Sequence, residues 1–170
     1  MHATTTVIVM GVSGAGKSTV AEALVRRTGW AFAEGDDLHP EANRRRMAAG
    51  HPLTDDDRWP WLRRIADWIG AQESASRDGV VTCSALRRAY REVLTAGHPS
   101  VRFVYLAVGH AELEGRLGRR TGHYMPAALL QSQLDTLEEP GPDEPVIVDR
   151  GGGDPEATVD RILAALGTGR

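Results

Sequence analysis

The segment Gly11-Val12-Ser13-Gly14-Ala15-Gly16-Lys17-Ser18 fills every defined position of the pattern G-x-x-x-x-G-K-[ST], and nothing else in the chain restricts its fold as much. The wholly apolar run Val7-Ile8-Val9-Met10 stands before it and reads as a strand buried on both faces. Residues 18–28 follow with helical spacing, Val20, Ala21, Leu24 and Val25 sharing one side. A strand, a glycine-rich turn and a helix in that order make a cradle for phosphate. Backbone N–H groups turn inward, and the helix N-terminus adds partial positive charge. The eight motif residues and Thr19 are thus expected to hold the phosphates of ATP. Lys17 would reach the β- and γ-phosphates, and the Ser18 hydroxyl would ligate Mg²⁺.

The basic residues point to the same place. The chain has 20 lysine and arginine residues, and Lys17 is its single lysine. Arginine serves wherever a generic positive charge will do, whereas a crowded phosphate loop needs a compact ammonium. An Arg→Lys exchange at a surface site such as Arg161 is accordingly expected to be silent.

Downstream, Val80-Val81-Thr82-Cys83, residues 101–108 and Val146-Ile147-Val148 read as strands, with residues 30–33 a weaker one. Between them lie helical patterns through Trp61, Leu62, Ile65, Ala66 and Ile69 and through Leu86, Tyr90, Val93 and Leu94. A last helix carries Val159, Ile162, Leu163 and Leu166, with Asp154 as N-cap and Pro155 at its first position. Alternating strands and helices predict an α/β fold, a parallel sheet covered by helices. Residues 1–170 are expected to form one domain, since no repeat and no long linker divides them.

Composition narrows the function. The net charge is −3, which disfavours nucleic acid as a partner. The densest basic cluster, Arg44-Arg45-Arg46, reads equally as a solvated helix face or as an anion contact. Cys83, the single cysteine, excludes an internal disulfide and a four-cysteine zinc site, and reads as a small buried residue. The first residues lack the character of a signal peptide and no apolar stretch approaches a membrane span, so a cytoplasmic protein without membrane contact is expected.

A phosphate loop gives nucleotide binding and leaves the reaction open. Asp149-Arg150-Gly151-Gly152 fits the Asp-x-x-Gly of a GTP switch by letter but falls near the C-terminus. An Asn-Lys-x-Asp is impossible without a second lysine, so a GTP switch does not fit. The strand ending at Cys83-Ser84 carries no carboxylate for a motor ATPase. A small phosphotransferase remains. Glu34-Gly35-Asp36-Asp37 puts carboxylates at the C-terminal edge of the sheet, where α/β folds bind ligands. There they can take a hydroxyl proton or hold Mg²⁺ through water. Arg116 and Arg120 lie four apart on one helix face, fit to stack on adenine and neutralise transferred charge. Gly118 and Gly122 suggest a hinged lid over roughly residues 116–130.

At this level of detail the chain resembles the bacterial gluconate kinases, relatives of shikimate kinase and the nucleoside monophosphate kinases. The resemblance runs through the phosphate loop, Glu34-Gly-Asp-Asp-Leu-His-Pro40 and Pro52-Leu53-Thr54-Asp55-Asp56-Asp57-Arg58. It continues in Cys83-Ser84-Ala85-Leu86, Gly122-His123-Tyr124-Met125-Pro126, Ser132-Gln133 and Thr136-Leu137-Glu138-Glu139-Pro140. Arg46 and Arg87 stand where the family often has lysine, and Glu34 where some relatives have aspartate.

The resemblance implies a P-loop fold with a five-stranded parallel sheet and a mobile lid. It also implies transfer of the γ-phosphoryl of ATP to the 6-hydroxyl of D-gluconate. Asp36 would deprotonate that hydroxyl while Lys17 and Arg120 stabilise the transferred charge. Arg58 is the first choice for the substrate carboxylate, with Arg46, Arg88 and His39 behind it, and Ser84 and His123 complete the expected substrate contacts. Trp30, Trp59, Trp61 and Trp68 are expected in the core or at interfaces. The family is often dimeric, and the sequence neither requires nor forbids a homodimer. Two other readings stay open: a kinase of another small hydroxyl acceptor, and a nucleotide-binding regulator without turnover.

Overall fold

The computed structural model describes residues 3–108 and 127–167. Five strands, β1 (Thr6–Met10), β2 (Ala31–Ala33), β3 (Gly79–Thr82), β4 (Val101–Leu106) and β5 (Val146–Asp149), form one sheet in the order β2-β3-β1-β4-β5. Every pairing is parallel, as expected. The apolar run before the glycine-rich turn becomes the central strand. All five of its residues are buried, with Thr6 in register with both Gly79 and Val101. A continuous apolar strand is what the middle of a parallel sheet demands, because both its faces are covered.

The covering helices are α1 (Lys17–Thr28), α2 (Glu41–Ala48), α3 (Asp55–Ser74), α4 (Arg88–Thr95), α5 (Ala127–Thr136) and α6 (Pro155–Leu166), with a 3₁₀ turn at Gly35–Leu38. α1 packs against α6, and α3 against α4. The expected start of the last helix holds: Asp154 accepts the Glu156 N–H at 3.1 Å, and Pro155 takes the first helical position. α3 opens on a capping box. Thr54 accepts the Asp57 N–H at 3.2 Å, while the Asp57 carboxylate accepts the Thr54 N–H at 2.9 Å. That backbone bond holds the Asp57 carboxyl below the usual carboxylate range. Part of the acidic stretch 55–57 is therefore helix-start chemistry, three carboxylates at the positive end of a long helix.

One strand ends short of its expected range, and one open reading is decided. β4 stops at Leu106, so Ala107 and Val108 leave the sheet, although Ala107 N–H still donates to Asp149 O at 3.0 Å. The Arg44-Arg45-Arg46 cluster lies on α2 and faces local partners. Arg44 donates to His39 O at 3.3 Å, Arg45 pairs with Glu41 at 3.1 Å and Arg46 with Asp57 at 3.7 Å. The cluster is a helix face with intramolecular partners.

Of the four tryptophans, Trp61 is buried in the core, and Trp30, Trp59 and Trp68 pack partly buried against it. Burial pushes the Cys83 thiol up to about 12, so it is an inert core residue. A buried ion pair closes the sheet edge. Arg91 donates to Glu144 at 2.6 Å, to Ala85 O at 2.8 Å and to Glu138 O at 3.1 Å, its side chain 2% exposed. Those bonds hold the Ser84-Ala85-Leu86 turn, in which Ala85 sits at φ 48°. Among the described residues no helix is long and apolar enough to cross a membrane.

Candidate active site

The C-terminal ends of the parallel strands converge on the phosphate loop. Gly16, the N-cap of α1, has φ 97°, a conformation open to glycine and strained for other residues. No side chain caps this helix start and its first turn holds no acidic residue, so no carboxylate of that turn offsets its partial positive charge. The Lys17 ammonium folds across the loop, donating to Gly11 O at 2.9 Å and Val12 O at 3.1 Å.

Next to Lys17 on α1, the Ser18 hydroxyl lies within 3.0 Å of both oxygens of Glu34, which follows β2. The Thr82 hydroxyl at the end of β3 also donates to Glu34, and it accepts the Gly35 N–H at 2.9 Å. The Gly35 carbonyl accepts from the Trp61 indole at 2.8 Å. Gly35 is pressed so tightly that a Cβ there would lie 1.8 Å from Thr82 O. The acidic segment after β2 is thereby locked to β3 and α3, with a hydroxyl and a carboxylate facing each other at the loop. Hard oxygen donors of this kind suit Mg²⁺. Among the described residues no three His, Cys, Asp or Glu side chains form a metal site by themselves.

The loop separates two cavities. One, of about 360 Å³, is walled by Gly14, Ala15, Gly16 and Thr19 on one side and by residues 106–108, Gly152, Gly153 and Pro155 on the other. The second, of about 230 Å³, takes Ser13 and Lys17 from the loop and Asp36, His39, Arg58 and Ser84 from the elements around it. Of the residues expected to contact substrate, the structure brings these last four together. Arg46 and Arg88 are not among its walls. Arg88 is held by Asp143 and, at 3.6 Å, by Glu92, and these carboxylates raise its pKa further. Arg116, Arg120 and His123, and most of the expected lid, lie outside the described residues.

Arg58 is 15% exposed and firmly placed. It donates to the Tyr90 hydroxyl at 2.9 Å, lies 3.6 Å from Asp55, and its guanidinium carbon sits 5.3 Å from the Tyr90 ring centre. Tyr90 donates in turn to Asp55; burial first, then that bond, raises the phenol pKa.

Two expectations need correction. His39 was expected as a cationic partner for a carboxylate. It is 4% exposed and stacked on Trp61 with ring centres 4.0 Å apart. Burial, aided by Arg44 and Arg58, lowers its pKa to about 4. At neutral pH it is an uncharged hydrogen-bonding group. Arg161 was expected to be a surface site at which lysine serves as well as arginine. It donates to Asp149 at 2.6 Å and to Gly152 O at 3.2 Å, bracing the wall of the larger cavity.

Sequence reasoning missed several wall residues. Gly152 and Gly153 border the larger cavity; their position after the last strand was the available signal. Gln133, from α5, lines the smaller cavity. Its Oε1 accepts the Ser13 N–H at 2.7 Å, and its Nε2 donates to the Ser13 hydroxyl at 3.1 Å. Asn43 is buried beside His39 on the polar helix α2, whose residues show no apolar period.

Comparison with known proteins agrees with this geometry. A family model described as an AAA domain matches residues 7–140. A gluconokinase from Gluconobacter oxydans (strain 621H) is 51% identical over 156 residues, covering 92% of this chain and 88% of its own. The solved structure of a sugar kinase from Janibacter sp. HTCC2649 superposes with a TM-score of 0.91 at 48% identity, over 97% of this chain and 95% of the other. That of a gluconokinase from Sinorhizobium meliloti 1021 gives 0.85 at 41% identity, over 98% and 94%. A shared fold alone does not impose identity of this degree over nearly the whole of both chains, and the chain belongs to the gluconokinase family of P-loop kinases.

Proposed function

We propose that this protein transfers the γ-phosphoryl group of ATP to the 6-hydroxyl of D-gluconate, giving 6-phosphogluconate and ADP. The observation that carries this reading is the pair of cavities on either side of one phosphate loop. The larger is walled by the helix start and the glycines after β5, and the smaller holds Lys17, Asp36 and Arg58 together. In this reading ATP lies along residues 11–19 with its base in the larger cavity, and the sugar acid fills the smaller one.

Transfer forms a bond from the acceptor oxygen to the γ-phosphorus and breaks the bond to the departing oxygen of ADP. Asp36 accepts the hydroxyl proton, and Lys17 balances the charge that builds on the phosphoryl oxygens. Arg58 meets the substrate carboxylate, with Ser84 as an uncharged partner for a substrate hydroxyl. Ser18, backed by Glu34, would hold Mg²⁺, which when bound supplies further positive charge against the phosphates. Arg116, Arg120 and His123 belong to the same proposal, as parts of a lid over roughly residues 116–130. So do a single kinase domain over residues 1–170, a cytoplasmic setting and a homodimer.

The test is ADP release across a panel of acceptors. Gluconate should raise the rate well above basal ATP hydrolysis, while shikimate and AMP should not. Faster turnover with either of those would replace gluconate as the acceptor, and ADP release indifferent to every acceptor would favour a regulator.

A further inference from the structure

The side chain behind His39 determines which of its ring nitrogens carries the proton. Asn43 Nδ2 donates to the backbone oxygen of Asp57 at 2.8 Å. A carbonyl oxygen only accepts, so this bond fixes the orientation of the amide and makes that atom the nitrogen. The same Nδ2 lies 3.1 Å from His39 Nδ1. Its second hydrogen therefore points at Nδ1, which must be the unprotonated, accepting nitrogen of the ring. The ring proton is left on Nε2. The ring lies flat on Trp61 at an interplanar angle of 15°, which sets its plane.

Nε2 faces Asp36, at 4.0 Å from Oδ1. The Asp36 side chain is 76% exposed and rides on a short 3₁₀ turn, so burial does little to fix its rotamer. A closure of about 1 Å brings the pair to an ordinary N–H···O distance, the kind of tightening apo sites undergo when substrate enters. We propose that His39, fixed by Asn43 as the Nε2–H tautomer, is a positioning residue that hydrogen-bonds Asp36 Oδ1 and so presents Oδ2 to the acceptor hydroxyl. This rests on Asp36 being the proton acceptor, as proposed above.

The remaining charged groups around the ring are consistent with that role. Arg44 of α2 and Arg58 of α3 both oppose its protonation, and burial opposes it more. A cationic ring beside Asp36 would pair with the carboxylate and weaken it as a base; a neutral donor orients it at less expense in basicity.

The test combines spectroscopy and kinetics. In ¹⁵N-labelled protein, His39 should show a protonated Nε2 and an unprotonated Nδ1 at neutral pH. Asn43→Asp, which offers an acceptor in place of the donor, should move a proton onto Nδ1. His39→Phe keeps the stacked ring and loses the donor; kcat should fall about 3- to 10-fold, the worth of one ordinary hydrogen bond, with both KM values nearly unchanged. His39→Gln, whose amide nitrogen can stand in for Nε2, should recover most of that loss. An Nδ1–H tautomer in the wild type, a His39→Gln as slow as His39→Phe, or an effect on KM alone would overturn the proposal. Full turnover in Asp36→Asn would overturn the role of Asp36 as well. A large loss there beside a wild-type rate in His39→Phe would overturn the positioning role only.

Discussion

Gln133 and Ser13, 120 residues apart in the chain, are joined by two reciprocal hydrogen bonds of 2.7 and 3.1 Å. The first engages a backbone N–H inside the phosphate loop, so α5 is fastened to the segment that divides the two cavities. Gln133→Ala removes both bonds. The loss should be about 1 to 2 kcal/mol, or about 2 to 8 °C in melting temperature, with a raised KM for the sugar acid. Differential scanning fluorimetry and steady-state kinetics measure both. An unchanged Tm would mean that the clamp is weaker than its geometry.

Lys17→Arg keeps the charge but replaces a compact ammonium lodged against two carbonyl oxygens with a broad planar group. Turnover should fall by about one to two decades while folding is retained, as one charge-assisted contact is lost. The proper control is Arg63→Lys on the exposed face of α3, because Arg161 braces Asp149. Near-normal kcat in Lys17→Arg would remove any meaning from the single lysine.

Gly35→Ala should be among the most damaging exchanges of a single methyl group. The new Cβ would lie 1.8 Å from a backbone oxygen, so a strand end or the 3₁₀ turn must move. A loss of about 3 kcal/mol or more is expected, seen as a urea midpoint lower by about 1 to 3 M. Trp61 emission should shift too, as its indole donates to this residue. A midpoint unchanged from wild type would contradict the tight approach.

Arg58→Ala should raise the KM for gluconate by about tenfold or more, leaving KM for ATP near its wild-type value. Because Asp55 and Tyr90 lose their partner, Tm should fall as well. An unaltered KM would move the carboxylate contact to another cation.

Acid should weaken the fold partly through His39. In the unfolded chain its imidazole takes a proton near 6.5, and in the native protein only near 4. Between those values the unfolded state binds the extra proton. This contribution to stability is therefore full above about 6.5 and is lost as pH falls towards about 4. His39→Phe lacks that titration. The Tm difference between wild type and variant should shift in the variant's favour across this window, and parallel Tm curves would refute the buried neutral ring.

The strands, the phosphate loop and the start of α6 were legible because each is written in consecutive residues: an apolar run, a glycine spacing, an Asp-Pro. α2 was not, for its eight residues include three arginines and bury only Asn43, leaving no periodic apolar stripe. The stretch Asp55-Asp56-Asp57-Arg58 was visible as a motif, but its division of labour was not. Asp57 caps a helix and Asp55 anchors Arg58, which only the fold separates. The protonation of His39 depends on Asn43 and on the backbone of Asp57, 14 residues further on, and the Gln133 clamp on a helix far along the chain. Such relations have no period or spacing to read.

The partition between the two cavities bears on how this fold can change its preferences. Ser13 and Lys17 face one side and Gly14, Ala15, Gly16 and Thr19 the other, so under the proposed assignment an exchange in the loop disturbs donor and acceptor affinity at once. The opposite wall of the smaller cavity, with Met47, Pro52, Leu53 and Arg58, belongs to α2, α3 and the link between them, and none of these residues lines the larger cavity. Selection for a different sugar acid can therefore act on that outer wall alone, and a lineage can trade one acceptor for another without relearning how to hold ATP.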